Sequence, residues 1–185
     1  MADQNDTALL IPGPLQGSVR LLLKAQRGIL VFCSLLMAAV FATVVVLRYV
    51  FQSDLFAYEE WVLLAAFWLY FIGGAQGSFD DSHIRADILS NWLRRPEQVW
   101  RVKQLRLLLE LLVTATLTVL AGLMVFEEIS RYPNWSTTTV WNIPFMAPRF
   151  GIFLGLLLMA LYAGLHLYTI RHRASANKVD GQTME

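Results

Sequence analysis

The sequence has little of what enzymes and metalloproteins use for chemistry. It contains one cysteine, Cys33, and three histidines in 185 residues. A single cysteine excludes an intramolecular disulfide, and the sequence has no CxxC, HExxH or Gly-rich phosphate-loop pattern. We therefore expect no catalytic residue, no metal site and no cofactor in this chain.

Charged residues are scarce as well. They make up 16% of the chain, against 56% hydrophobic residues, and the mean hydropathy is +0.49. A soluble domain of this length needs more polar surface. The net charge of +1 comes with basic residues that are spread along the chain, so they form no face for nucleic acid. The composition predicts an integral membrane protein that contacts lipid and binds no nucleic acid.

Four apolar runs are long enough for a helix to cross the hydrocarbon core, which is about 30 Å thick or about 20 residues. We expect an all-α membrane domain over residues 20–172, a mobile cytoplasmic tail over 1–19 and a second cytoplasmic tail over 173–185. The four predicted spans lie at about residues 28–47, 61–79, 107–126 and 150–170.

The lysines and arginines predict the orientation. Twelve of them lie before the first span, between the second and third spans, or after the fourth, whereas three, Arg48, Arg131 and Arg149, lie in the other two loops. Cytoplasmic loops carry the excess of basic residues in membrane proteins. Both termini are therefore predicted to be cytoplasmic.

Two segments are predicted to be amphipathic helices in the cytoplasmic interface. The first is the lead-in at residues 19–28. The second begins after Ser82 and places Trp92 on an apolar face, with Arg94 and Arg95 on other faces, where they can contact anionic lipid. These three residues are the predicted lipid-interface set.

Proline and polar residues mark the helix starts. Pro96 favours the first turn of a third helix that reaches Phe126, about 46 Å at 1.5 Å per residue. Ser53 or Asp54 is a candidate cap for a short helix that leads into the second span. The aromatic, proline-broken segment 132–148 is typical of the headgroup layer.

Each span carries small residues four apart, a pattern that lets helices approach closely in lipid. The stripes predict packing either within this bundle or against a partner's helices, and the sequence leaves both open. They are Ser34, Ala38 and Ala42; Gly73 and Gly77; Thr114, Thr118 and Gly122; and Gly151 and Gly155.

Glu110 and His166 are the ionisable candidates near the inner ends of spans. Glu110 follows Arg106 by four residues, so an interfacial ion pair and a proton or cation site are both open. His166 lies close to headgroup level. A haem site of His83 and His166 is disfavoured because His83 lies outside the spans.

His83 and Asp87 lie four residues apart, on one helix face, where imidazole and carboxylate can pair. Asp80 and Asp81 are near, but no second histidine or cysteine supports a metal. At the other end of the second span, Glu59 and Glu60 stand at a helix amino terminus, which stabilises carboxylates. They are also candidates for binding a basic partner group.

The order and spacing of these motifs resemble the DctQ-type small membrane subunit of tripartite ATP-independent periplasmic (TRAP) transporters. The resemblance extends over nearly the whole chain. It rests on Arg48-Tyr49, Tyr58-Glu59-Glu60-Trp61, Trp68-Leu69-x-x-Ile72-Gly73-Gly74-Ala75 and His83-Ile84-x-x-Asp87.

The resemblance implies a non-catalytic, multi-pass subunit in the bacterial inner membrane. Its partners would be a large multispan subunit, which binds the sodium and moves the substrate, and a periplasmic solute-binding protein, which delivers an organic acid. The small subunit would be a scaffold. Its structural or partner-interface residues would be Glu60, His83, Asp87, Arg48, Trp68, Gly73 and Gly77.

One departure from the family pattern lies at residues 149–154, where a proline often opens the fourth helix and this chain has Gly151. The sequence is also compatible with two other functions. One is the membrane anchor of a quinone- or haem-linked oxidoreductase, and the other is a stand-alone proton-coupled transporter that uses Glu110.

Overall fold

A computed structural model describes residues 13–80 and 96–182 of the chain. This part consists of four helices: α1 (Gly13–Val50), α2 (Tyr58–Phe79), α3 (Pro96–Ser130) and α4 (Met146–Gln182). All four are long and apolar enough to cross a membrane. No strand occurs in the described residues, where a single bridge pairs Thr137 with Pro144. The all-α membrane fold is confirmed, whereas the orientation of the termini stays a prediction.

The first helix is longer than predicted. It begins at Gly13 and runs for 38 residues, about 57 Å, so residues 13–19 of the predicted tail are helical. The lead-in at 19–28 is continuous with the span, so it is not a separate surface helix. Its side chains Leu23 and Gln26 are buried in the bundle, which explains why the helix does not turn along the membrane plane.

The second helix starts without the predicted cap. Neither Ser53 nor Asp54 opens a helix, because α2 begins at Tyr58 after Ala57, whose φ of 57° is left-handed and whose side chain makes no capping hydrogen bond. Glu59 and Glu60 occupy the first turn. The carboxylate of Glu60 binds the loop between α3 and α4.

Prolines open the third and fourth helices. The prediction that α3 begins at Pro96 is confirmed, and the helix continues to Ser130. In α4, Pro148 lies in the first turn, whereas the departure from the family pattern at Gly151 stays a prediction. The helix extends to Gln182, into the segment predicted as a carboxy-terminal tail.

The helices pack in the order α1–α2–α4–α3. The central helix α2 contacts α1 and α4, and α4 contacts α2 and α3. The flanking helices α1 and α3 leave most of their apolar surface exposed, as expected for a protein that lies in lipid. The core cluster consists of Leu23, Ile72, Ala75, Phe79, Leu158 and Tyr162.

Glycines set the closest approach, which is between α2 and α4. A Cβ added at Gly155 would lie 2.6 Å from the Cβ of Phe71 and 2.7 Å from its carbonyl oxygen, so only glycine fits there. At Gly73, an added Cβ would lie 3.6 Å from Leu30 of α1, which is an ordinary contact. The stripe of Ser34, Ala38 and Ala42 on α1 is exposed on the surface of the bundle.

We call the end of the bundle with loops 51–57 and 131–145 the outer end, and the end with Phe79 the inner end. The charge pattern predicts that the outer end is periplasmic.

Candidate functional site

The carboxylate of Glu60 holds the loop between α3 and α4 against α2. It accepts hydrogen bonds from Thr138 Oγ1 at 2.6 Å, from the Val140 amide at 3.0 Å and from the Trp141 amide at 3.0 Å. Thr138 Oγ1 in turn accepts from the Ile143 amide at 2.9 Å. Three donors on one carboxylate fix both the position and the shape of the loop.

The loop held by Glu60 is a short hairpin, residues 136–145, which we call the outer hairpin. The amide of Thr138 donates to the Ile143 carbonyl, and that of Phe145 donates to the Ser136 carbonyl, both at 3.0 Å. Asn142, at its tip, has a φ of 51°, a conformation that asparagine adopts more readily than most residues. The hairpin closes over the outer ends of α2 and α4.

A second carboxylate, Glu128, ties the outer end of α3 to α4. Its side chain is fully buried, and it accepts hydrogen bonds from the Arg149 guanidinium and, at 3.2 Å, from the Ser136 amide. Arg149 lies in the first turn of α4 and is 31% exposed. A buried carboxylate needs such partners, because its desolvation is otherwise costly.

The sequence did not identify Glu128 as a site residue. Its neighbour Glu127 pairs with Arg131 at 2.5 Å on the surface, with side chains 65% and 52% exposed. Two adjacent glutamates therefore differ completely in burial. One sequence feature hints at this buried pair: Arg149 is one of the few basic residues at the outer end, where an arginine needs a specific reason to be present.

Trp68 lies within the chain's own α2–α4 interface. Its Nε1 donates to the Ala147 carbonyl at 3.2 Å, and its ring packs on Phe150. A Cβ added at Gly151 would lie 3.1 Å from the indole. The glycine that the sequence placed in a small-residue stripe therefore makes room for this tryptophan.

At the inner end, Glu110 is bound across helices. Its carboxylate accepts a hydrogen bond from Ser78 Oγ at 2.9 Å, which links α3 to α2. Ser78 is buried and Glu110 is half-buried. The sequence spacing suggests Arg106 as a partner of Glu110 and carries no signal for Ser78.

Two further side-chain contacts tie α4 to its neighbours at the inner end. His166 Nε2 lies 3.0 Å from the Phe79 carbonyl oxygen, and Tyr162 donates its hydroxyl to Gln26 Oε1 at 2.9 Å. Phe79 and Tyr162 meet edge to face at 5.1 Å between ring centroids. His166 is therefore engaged with the end of α2 in this arrangement.

Several predicted site residues lie outside the described residues. Among the others, Arg48 is exposed in the last turn of α1, and Gly77 is half-buried on α2. No group of three or more histidine, cysteine or acidic side chains with metal-site geometry occurs in the described ranges. The predicted residues outside these ranges are His83, Asp87, Trp92, Arg94 and Arg95.

The described polar groups thus form two belts, one at each end of the bundle. Each of the carboxylates Glu60, Glu110 and Glu128 accepts a hydrogen bond from a neighbouring helix or loop. Groups bound in this way fix helices and loops relative to each other.

A family model described as "Tripartite ATP-independent periplasmic transporters, DctQ component" matches residues 36–172. The match extends from the middle of α1 into the inner part of α4. A search of curated proteins found no significant match.

Proposed function

This chain belongs to the DctQ component family of TRAP transporters, and from that premise we propose that it is the fixed scaffold of its transporter. In this proposal it holds the large multispan subunit in the bacterial inner membrane while that subunit moves substrate. The transporter takes up an organic acid, driven by sodium, after delivery by a periplasmic solute-binding protein. Sodium binds the large subunit, and both termini of this chain are cytoplasmic.

The observation that carries the proposal is that the bundle is tied at both ends by side chains. At the outer end, Glu60 joins α2 to the outer hairpin and Glu128 joins α3 to α4. At the inner end, Glu110 joins α3 to α2 and His166 joins α4 to α2. A body that is tied at both membrane faces resists sliding of one helix past another, which is what a fixed support requires.

Close packing between these belts supports the same role. Gly155 lies against the backbone of Phe71, so α2 and α4 cannot shift along each other without a steric clash. Glu110, the candidate for a stand-alone proton site, accepts a hydrogen bond from a buried serine. Nothing in the described residues favours the stand-alone transporter or the oxidoreductase anchor over the scaffold.

Uptake in vesicles tests the assignment to a transporter. We expect the chain and its large subunit, reconstituted together with the solute-binding protein, to take up an organic acid only when a sodium gradient is present. The chain alone should take up nothing. Uptake by the chain alone that is lost in Glu110→Gln would overturn the proposal.

Distance measurements test the scaffold role. Spin labels at exposed positions Phe41 of α1 and Leu120 of α3, in a Cys33→Ala background, report the separation of the flanking helices. We expect the same distance distribution in the complex with and without sodium and loaded solute-binding protein. A substrate-dependent shift between these labels would show that this chain moves during transport and would refute the scaffold role.

A further inference from the structure

Tyr70 presents a polar group to the middle of the membrane. It lies about 18 Å along α2 from Tyr58 and about 13 Å from Phe79, at 1.5 Å per residue. Its side chain is 75% exposed on the surface of the bundle. Tyrosine is normally enriched at the headgroup level, where its hydroxyl reaches water. At this depth a ring about 6 Å long does not reach either interface.

Helix geometry places a second exposed hydroxyl near this depth on the neighbouring helix. Leu30 of α1 meets Gly73 of α2. Ser34 follows Leu30 by four residues and Tyr70 precedes Gly73 by three, so each lies one turn outward from this contact on the same face of its helix. Because α1 and α2 are antiparallel, the two exposed residues lie at the same depth.

Two exposed threonine hydroxyls in the spans bond within their own helix. Thr43 donates to the Ala39 carbonyl and Thr116 to the Leu112 carbonyl, both at 2.8 Å within their own helix. In the described part of the chain, neither the hydroxyl of Tyr70 nor that of Ser34 makes a hydrogen bond. The tyrosine has no such option within its own helix, because its hydroxyl stands at the far end of a rigid ring.

Lipid tails offer no hydrogen-bond partner for these groups. A hydroxyl held in hydrocarbon is unfavourable unless a protein group covers it. The pair is therefore better explained by a second protein surface than by lipid alone. Leu63, seven residues before Tyr70 on the same face of α2, is also exposed and extends this surface toward the outer end.

We propose that the face of the α1–α2 pair around Ser34 and Tyr70 is the docking surface for a membrane helix of the transporter's large subunit. This inference rests on the proposed function. The docked helix presents a hydrogen-bond acceptor, such as a hydroxyl, an amide oxygen or an unwound backbone carbonyl, to Tyr70 at mid-membrane depth. The family is one component of a tripartite transporter, so this chain has partners that can cover the surface.

Photo-crosslinking of the intact complex in native membranes tests the location. The photoreactive residue p-benzoylphenylalanine replaces Tyr70 in one variant and Leu120, an exposed residue of α3, in a control variant. We expect position 70 to crosslink to the large subunit and position 120 not to do so. Both positions are exposed, so neither replacement disturbs the core.

Loss of the hydroxyl tests the hydrogen bond. Interhelical hydrogen bonds in membranes contribute modestly, so we expect Tyr70→Phe to weaken association with the large subunit about threefold, and Tyr70→Phe with Ser34→Ala to weaken it further. Thr116→Val, which removes an exposed hydroxyl bonded within its own helix, should leave association unchanged.

The outcomes separate the two proposals. If the large subunit co-purifies normally but crosslinks at position 120 and not at 70, the docking face is wrong and the proposed function stands. Crosslinks at 70 to lipid alone, or to a second copy of this chain, likewise overturn the docking face. If no large membrane subunit co-purifies with the unaltered chain, the proposed function fails and this inference fails with it.

Discussion

Arg149→Met should be far more destabilising than Arg131→Met, although both variants remove an arginine that pairs with a glutamate of α3. Arg149 neutralises Glu128, which is fully buried, whereas Arg131 pairs with Glu127, which is 65% exposed. Without Arg149, the described residues leave the carboxylate of Glu128 with one amide donor, Ser136, and no counter-charge.

The magnitudes follow from burial. Removing one partner of a buried ion pair costs about 3–5 kcal/mol, whereas an exposed pair contributes about 0–1 kcal/mol. For a chain of this size, this corresponds to a fall in Tm of roughly 10 °C for Arg149→Met and at most a few degrees for Arg131→Met. Glu128→Gln should lie between them, because Arg149 is 31% exposed and can regain water when its partner is lost.

Thermal unfolding of the purified chain in one mild detergent, followed by intrinsic tryptophan fluorescence, measures these differences. The double variant Glu128→Gln with Arg149→Met should be more stable than the sum of the two single losses predicts, because both remove the same interaction. Equal Tm values for Arg149→Met and Arg131→Met would refute the burial of Glu128. Additive losses in the double variant would refute the pairing.

The remaining predictions concern the outer hairpin, the close contact between α2 and α4, and His83 in the segment that joins α2 to α3. Glu60→Ala should speed hydrogen exchange of the amides in the outer hairpin, with Glu59→Ala as the matched control, and equal exchange would contradict the clamp. Gly155→Ala should cost about 2 kcal/mol through overpacking and Gly73→Ala much less, as read from Tm; the reverse order would exclude the close approach described here. His83→Ala should reduce assembly or transport without changing which substrate the solute-binding protein recognises, and an altered substrate preference would count against the scaffold.

Hydropathy and proline were enough to predict the four spans and the start of α3. Both are local signals: a run of about 20 apolar residues must cross the membrane, and Pro96 lacks the amide that a helix interior needs. The predicted short helix before α2, with Ser53 or Asp54 as its cap, does not form. Both residues are good local caps, but a local preference does not decide where the chain becomes helical, and α2 begins at Tyr58 after Ala57.

The polar contacts at the two ends of the bundle could not be predicted from local sequence patterns. Val140 and Trp141 bind Glu60 through their backbone amides, which every residue except proline has, so no side-chain pattern marks them. Glu127 and Glu128 are identical neighbours in the sequence, and only the rotation of α3 against α4 buries one of them. The resemblance identified Glu60 and Trp68, while their actual contacts required the fold.

The order α1–α2–α4–α3 also has a consequence for biosynthesis. The chain emerges from the ribosome as α1, α2, α3 and then α4, yet α4 supplies the main contact surface of both α2 and α3. Until α4 is inserted, Trp68 lacks its carbonyl acceptor and Glu128 lacks its arginine. A nascent chain that stops before residue 146 therefore holds an unfinished bundle, and the last helix to enter the membrane locks the earlier ones in place.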